Sequence, residues 1–193
     1  MDPETYRLKA GAIDVSIQRG LPSSQLIADY ASAGVELVVA DIDATLTDAH
    51  NGAVCDKARD FADTAEQHGL GLALVTNNRD SVHVQSVAHE LAVPDDLVFS
   101  PKKLREHKPT PTMLRRAMRS ADVSPTATFA VGDGATDVIS FLASGVNRVS
   151  VRVNCPTEAK GYWLRPRVRN LEYLIGRHAF RFAQHRGYAE KVG

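Results

Sequence analysis

Short, largely apolar runs recur along this chain, each separated from the next by a stretch with helical periodicity. The first, Val35 to Ala40, is rich in β-branched residues. A run apolar at successive positions has no side to offer to water, so it fits a strand covered on both faces, as in a parallel sheet. Similar runs follow at Leu72–Val75, Leu97–Phe99, Ala127–Val131 and Val149–Val153. Between them the pattern predicts helices over Lys57–His68, Ser81–Leu91, Pro111–Ser120 and Thr136–Ala143, with Gly69 and Gly145 as stops and Pro111 as a start. A short helix from Ser23 or Ser24 to Ala33 precedes the first strand, and a last helical region starts near Arg167 and runs toward Ala183. The first twenty or so residues carry no clear period and read as an irregular lead-in. Strand–helix alternation of this kind predicts a doubly wound, Rossmann-like α/β fold, with a central parallel sheet of about five strands. No repeat or linker divides the 193 residues, so one domain is expected over 1–193. Its catalytic core spans about 24–153 and a basic helical C-terminal region about 160–193.

Composition excludes several classes. Hydrophobic residues make up 44% and charged residues 24%, with no formal net charge, so no whole-molecule field draws the chain to nucleic acid or membrane. Met1-Asp2-Pro3-Glu4 lacks the basic and apolar regions of a secretory signal, and no apolar run is long enough to span a bilayer. Cys55 and Cys155 stand far apart and in no CxxC pair, which argues against a disulfide framework or a zinc site. The expected location is cytoplasmic.

In open parallel sheets, ligands bind beyond the carboxyl ends of the strands. The residues at those ends are distinctive here. Strand one runs into Asp41-Ile42-Asp43-Ala44-Thr45, strand two into Thr76-Asn77-Asn78, and strand four into Gly132-Asp133-Gly134 with Asp137 one turn later; Lys108-Pro109 follows strand three. Asp41 and Asp43, two apart on an extended segment, point the same way. Carboxylates held close in a partly dry site repel unless a cation compensates. With Asp133 they form a hard oxygen set that suits Mg²⁺. Lys108 can face a phosphoryl group, and Thr76 with nearby backbone N–H groups can hold phosphoryl oxygens. Taken singly, each has a plainer reading: an Asp after a strand often caps a helix, and Asp137 can serve only the dipole of its helix. All four elements in chain order, each at a strand end, argue for one site.

These residues resemble the four motifs of the haloacid dehalogenase (HAD) superfamily of phosphatases. They stand as Val39-Ala40-Asp41-Ile42-Asp43-Ala44-Thr45-Leu46-Thr47, Leu74-Val75-Thr76-Asn77-Asn78, Lys108-Pro109 and Val131-Gly132-Asp133-Gly134-Ala135-Thr136-Asp137-Val138, and the match covers about residues 24 to 153. The order of parts and the basic stretch Arg165 to Glu172 resemble the YqeG-like branch of subfamily IIIA, which includes phosphatidylglycerophosphate phosphatases. Ala44 and Gly134 depart from that branch, which usually has Asn and Gln there. The resemblance implies that Asp41 is the nucleophile and that Asp43 is first an acid and then a base. It further implies that Thr76, Asn77 and Lys108 bind the phosphoryl group, and that Mg²⁺ binds Asp41, the backbone carbonyl of Asp43 and Asp133. Asp137 is then either a water-mediated ligand or an anchor for Lys108.

Relatives often insert a cap domain after the first motif or between the second and third. Here neither interval has room for one, and Asn51-Gly52 predicts only a small flap. An open, capless site can receive a bulky phosphorylated substrate such as an anionic phospholipid, or can be covered by a neighbouring subunit. From Lys160 onward, basic residues outnumber acidic ones and Tyr162, Trp163, Phe180 and Phe182 are interleaved. Such a stretch can touch an anionic membrane from the cytoplasmic face, or it can simply pack on the sheet. No nucleic-acid-reading motif is present. Two other readings remain: a sugar-phosphate phosphatase working as an oligomer, and a non-catalytic binding module.

Overall fold

The computed structural model describes residues 5–10, 13–18, 20–48, 51–152 and 189–192. Strands β1 (Thr5–Ala10) and β2 (Ile13–Gln18) precede helix α1 (Ser24–Ser32). Strand β3 (Leu37–Ala40), helix α2 (Asp56–Gln67), strand β4 (Gly71–Val75), helix α3 (Ser81–Glu90) and strand β5 (Val98–Phe99) follow. Then come helix α4 (Thr112–Ser120), strand β6 (Thr128–Gly132), helix α5 (Ala135–Ser144), strand β7 (Arg148–Arg152) and strand β8 (Ala189–Val192). The strands form one sheet in the order β5-β4-β3-β6-β7-β2-β1-β8. The six from β5 to β2 are parallel, and β1 runs antiparallel to both β2 and β8.

The expected lead-in is therefore corrected. Residues 5–18 contribute two strands, and β2 extends the parallel sheet to six strands rather than five, pairing Val15 with Val149. The reason lies in position. The interior strand β3 is buried at every residue, whereas β2 is buried only in part, with Val15 enclosed and Ile13 exposed. A strand toward the rim alternates apolar and polar residues, as Ile13-Asp14-Val15-Ser16-Ile17-Gln18 does, and so lacks the continuous apolar run that marks the central strands. The helix expected over Arg167–Ala183 lies outside the described residues. At its end the basic C-terminal region, expected to be helical to 193, instead supplies strand β8, with Leu8 opposite Ala189.

Two apolar layers sandwich the sheet. Val38 and Ala40 of β3 face one, together with Ile27, Tyr30, Phe61, Leu74, Val84 and Phe129 from α1, α2, α3 and neighbouring strands. Leu37 and Val39 face the other, with Ala73, Met113, Leu114, Phe141 and Val149, brought by α4 and α5. Alternate residues of one strand thus serve opposite layers, as the pleat requires. Helix ends follow their caps: Ser23 Oγ accepts from Leu26 N–H at 3.3 Å, and Asp80 Oδ1 accepts from Val82 and His83 N–H at 3.1 and 3.2 Å. The strand order reverses between β3 and β6, because the chain first moves from β3 out to β4 and β5 and then returns to β6 on the other side. A crevice opens at such a reversal.

Phe129 is fully enclosed and its ring centroid lies 4.7 Å from that of Tyr30. We expect Phe129→Ala to lower stability by roughly 3–5 kcal/mol, read from the urea midpoint at unchanged slope.

Candidate active site

The carboxyl ends of β3, β4 and β6 meet at this crevice, and the four motifs meet there with them. Asp41 continues β3 by one residue, its N–H donating to Val131 O of β6 at 2.9 Å. Its carboxylate is almost wholly buried. Lys108 Nζ lies 2.5 Å from Asp41 Oδ1 and donates to Val75 O at 2.9 Å. On its far side Lys108 Nζ stands 2.6 Å from Asp137 Oδ1, a contact of charges rather than an aligned hydrogen bond. Asp137 sits on the first turn of α5, where its Oδ2 accepts from Gly134 N–H at 3.0 Å and Asp133 N–H at 3.3 Å. One carboxylate thus caps a helix and anchors the lysine. Gly132 makes this possible, since a Cβ there would lie 2.6 Å from Asp137 Cβ.

Asp43 belongs to a different neighbourhood. Its Oδ2 accepts from Thr76 Oγ1 at 3.1 Å and its Oδ1 from Asn78 Nδ2 at 3.1 Å, while about a third of its side chain (35%) stays open to solvent. The extended segment that set Asp41 and Asp43 on one side ends here. Ala44 adopts a left-handed φ of 61°, and Thr45 and Leu46 N–H turn back onto Ile42 O. That conformation favours Asn or Gly, and a Cβ there costs about 1–2 kcal/mol. The same turn brings Thr45 Oγ1 to donate to Asp41 Oδ2 at 3.0 Å.

Asn77 is a clamp. Its Oδ1 accepts from Lys108 N–H at 2.8 Å and its Nδ2 donates to Lys108 O at 3.2 Å, so its amide meets both ends of one peptide residue. Thr76 Oγ1 donates to Asp43 and accepts from Asn78 N–H at 2.9 Å. Asp41, Asp133 and Asp137 offer carboxylate oxygens within 4.8 Å of one another, whereas the Asp43 side chain is turned toward Thr76 and Asn78.

The sequence model of the haloacid dehalogenase-like hydrolases matches residues 4–145. The chain belongs to this family. Among solved structures it is similar to the cobalt-bound deoxy-D-mannose-octulosonate 8-phosphate phosphatase from Haemophilus influenzae. The two are 22% identical, over 60% of this chain and 68% of that one, with a TM-score of 0.49. CbbY from Rhodobacter sphaeroides, in complex with phosphate, is 18% identical over 68% of this chain and 53% of its own, with a TM-score of 0.46. An uncharacterized protein from Corynebacterium glutamicum is 17% identical over 66% and 90%, with a TM-score of 0.48. No curated protein matches the chain.

Among the described residues the carboxylates of Asp41, Asp133 and Asp137 converge, and the Lys108 ammonium contacts two of them, Asp41 and Asp137. Burial pushes the Asp41 carboxyl up to about 8, with Lys108 opposing and Asp137 and Asp133 adding to the rise. For Lys108, burial works to lower the ammonium, but the charges of Asp41 and Asp137 outweigh it and hold the group above the ordinary lysine range. Such a set of hard oxygen donors fits a divalent cation such as Mg²⁺.

Residues that sequence reasoning did not single out also converge here. Asn78 and Thr45 lie within the motifs, and their place just beyond strand ends was the available signal. Arg152 Nη1 donates to Thr45 O at 2.6 Å and so braces the turn after Asp41 from the end of β7. His83 Nε2 lies 3.5 Å from Asp43 Oδ1.

Gly132→Ala should displace Asp137 and loosen Lys108. The expected readouts are a lower melting temperature and a loss of affinity for divalent cations by calorimetry. A pH dependence follows as well. The folded state holds the Asp41 proton more tightly than the unfolded chain, so without metal its contribution to stability is full below the ordinary carboxylate pKa. That contribution is lost as pH rises toward about 8. Melting curves without metal should therefore separate wild type from Asp41→Asn increasingly as pH rises across that window, to the wild type's disadvantage. The rise in melting temperature on adding Mg²⁺ should grow over the same window.

Proposed function

We propose that the protein is a magnesium-dependent phosphomonoesterase working through an aspartyl-phosphate on Asp41. The observation that carries this reading is the buried Lys108 ammonium between Asp41 and Asp137, at 2.5 and 2.6 Å. A carboxylate held in one orientation at a strand end, against a cation that also neutralises incoming charge, is placed to act as a nucleophile. A purely structural role for these groups would bury an ion cluster where apolar packing is often as stable.

Asp41 attacks phosphorus as the bond to the leaving oxygen breaks. Asp43, on the open side, gives its proton to that oxygen and then takes one from the water that attacks the phosphoryl group on Asp41. Lys108 stabilises the charge of nucleophile and phosphoryl oxygens, and Asn77 holds Lys108 in place through its backbone. Thr76 offers its hydroxyl to a phosphoryl oxygen. Asp41, Asp133 and the backbone carbonyl of Asp43 would hold Mg²⁺, with Asp137 behind them anchoring Lys108. The metal supplies charge neutralisation at the phosphoryl oxygens.

As substrate we infer an anionic phospholipid, phosphatidylglycerophosphate, with the chain in the YqeG-like branch of subfamily IIIA. The motif set supports this, and so does the open mouth. The interval after the first motif holds only a tight hairpin, with Thr47 bridged to Val54, before α2 enters the core. The interval before Lys108 is filled by α3 and β5, which also pack into the core. Among the described residues, no lid stands over that mouth. The basic C-terminal stretch, outside the described residues, would favour contact with the inner face of an anionic membrane. No described helix is long and apolar enough to cross a membrane.

Purified protein should release phosphate from a generic aryl phosphate with Mg²⁺, lose this with EDTA and regain it on adding the metal. Asp41→Asn should lower kcat by about a thousandfold or more; robust turnover by this variant would sink the mechanism. In a panel of lipid, sugar and nucleotide phosphates, phosphatidylglycerophosphate in anionic vesicles should give the highest kcat/KM.

A further inference from the structure

His83 stands on the first turn of α3, fixed there because Asp80 Oδ1 accepts its backbone N–H at 3.2 Å. Its imidazole is three-quarters enclosed. Its Nε2 atom is shut off from solvent and has no hydrogen-bond partner among the described residues. Enclosed polar atoms without a partner are uncommon in folded chains, so the surroundings of this one matter. The nearest acceptor is Asp43 Oδ1 at 3.5 Å, just beyond a hydrogen bond. The flap closes the other side of the ring. Gly52, at a left-handed φ of 71°, approaches so closely that a Cβ on it would lie 3.3 Å from His83 Cε1. The imidazole is thus wedged between the flap turn and the Asp43 carboxylate.

We propose that His83 is a positioning residue for Asp43, its Nε2–H closing onto Oδ1 to aim that carboxyl at the leaving oxygen. This rests on the acid–base role assigned to Asp43 above. Thr76 and Asn78 already hold one oxygen each, and both come from the β4 side. His83 adds the third point that stops the carboxyl from rotating about its own axis. In the first step the Asp43 carboxyl proton passes to the departing oxygen as the P–O bond breaks, giving an alcohol and the Asp43 carboxylate. In the second step water forms the new bond to phosphorus, its proton returns to Asp43, and the bond to Asp41 breaks. A misaimed Asp43 harms the first step only when the leaving group needs a proton. An alkoxide does and 4-nitrophenolate does not.

The test compares kcat/KM, which reports the first step, for glycerol 3-phosphate and 4-nitrophenyl phosphate with Mg²⁺. His83→Ala should lower it by about tenfold or more on the alkyl ester and within about twofold on the aryl ester. His83→Gln, which keeps a donor at similar reach, should recover much of the alkyl activity. Rapid mixing of His83→Ala with the aryl ester should give a burst of nitrophenolate followed by a slower steady rate, because hydrolysis of the aspartyl-phosphate needs the same carboxylate. Asp43→Asn is the control. If Asp43→Asn separates the two esters and a folded His83→Ala does not, the positioning role fails and the acid–base role of Asp43 stands. If Asp43→Asn does not separate them, both fail.

Discussion

A single buried ammonium organises this structure. Lys108 reaches under the carboxyl edge of the sheet and contacts Asp41 at the end of β3, the carbonyl of Val75 at the end of β4, and Asp137 on the helix after β6. Three chain segments far apart in sequence are thereby tied at one atom. Removing one partner of a buried ion cluster leaves charge uncompensated, at a cost on the order of 3–5 kcal/mol, so the arrangement is strongly constrained. The neighbouring devices serve it: the Asn77 clamp on the Lys108 backbone, the missing Cβ at Gly132, and the capping of α5 by Asp137.

The same constraint divides the site into two environments. Asp41 lies deep, among Lys108, Asp133 and Asp137. Asp43, only two residues on, lies at the mouth among Thr76, Asn78 and His83. The roles proposed for them, a nucleophile held in one orientation and an acid–base group that exchanges protons with solvent, need different surroundings. The left-handed turn at Ala44 follows immediately and, with Thr45 and Arg152, holds the segment in this shape. The fold contributes by placing the reversal of strand order at β3 and β6, where a crevice is unavoidable.

Much of the interior was legible. Largely apolar runs marked β3, β4, β5 and β6 because a strand covered on both faces needs no polar alternation, β7 showed only as valines alternating with Ser150 and Arg152 after the Gly145 stop, and glycines marked the stops after α2 and α5. The hairpin of β1 and β2 was hidden because rim strands alternate, and two short alternating stretches joined by Ala10-Gly11-Ala12 do not stand out from a loop. The site residues at strand ends were visible as a set, since chain order and the parallel sheet together place them at one edge. His83 was not, because its place at the site depends on the direction in which α3 leaves its cap and on the flap lying against it.

The sequence by itself determined the α/β class, the edge of the sheet at which the four motifs gather, and which acidic and basic side chains stand there, because pleat periodicity and strand ends are local properties. Only the tertiary structure decided which of those groups touch. That Lys108 lies between Asp41 and Asp137, that Asn77 grips Lys108, and that Asp43 turns toward Thr76 and His83 are contacts across more than thirty residues in most cases. They arise from packing two apolar layers against one twisted sheet, and no local pattern encodes them.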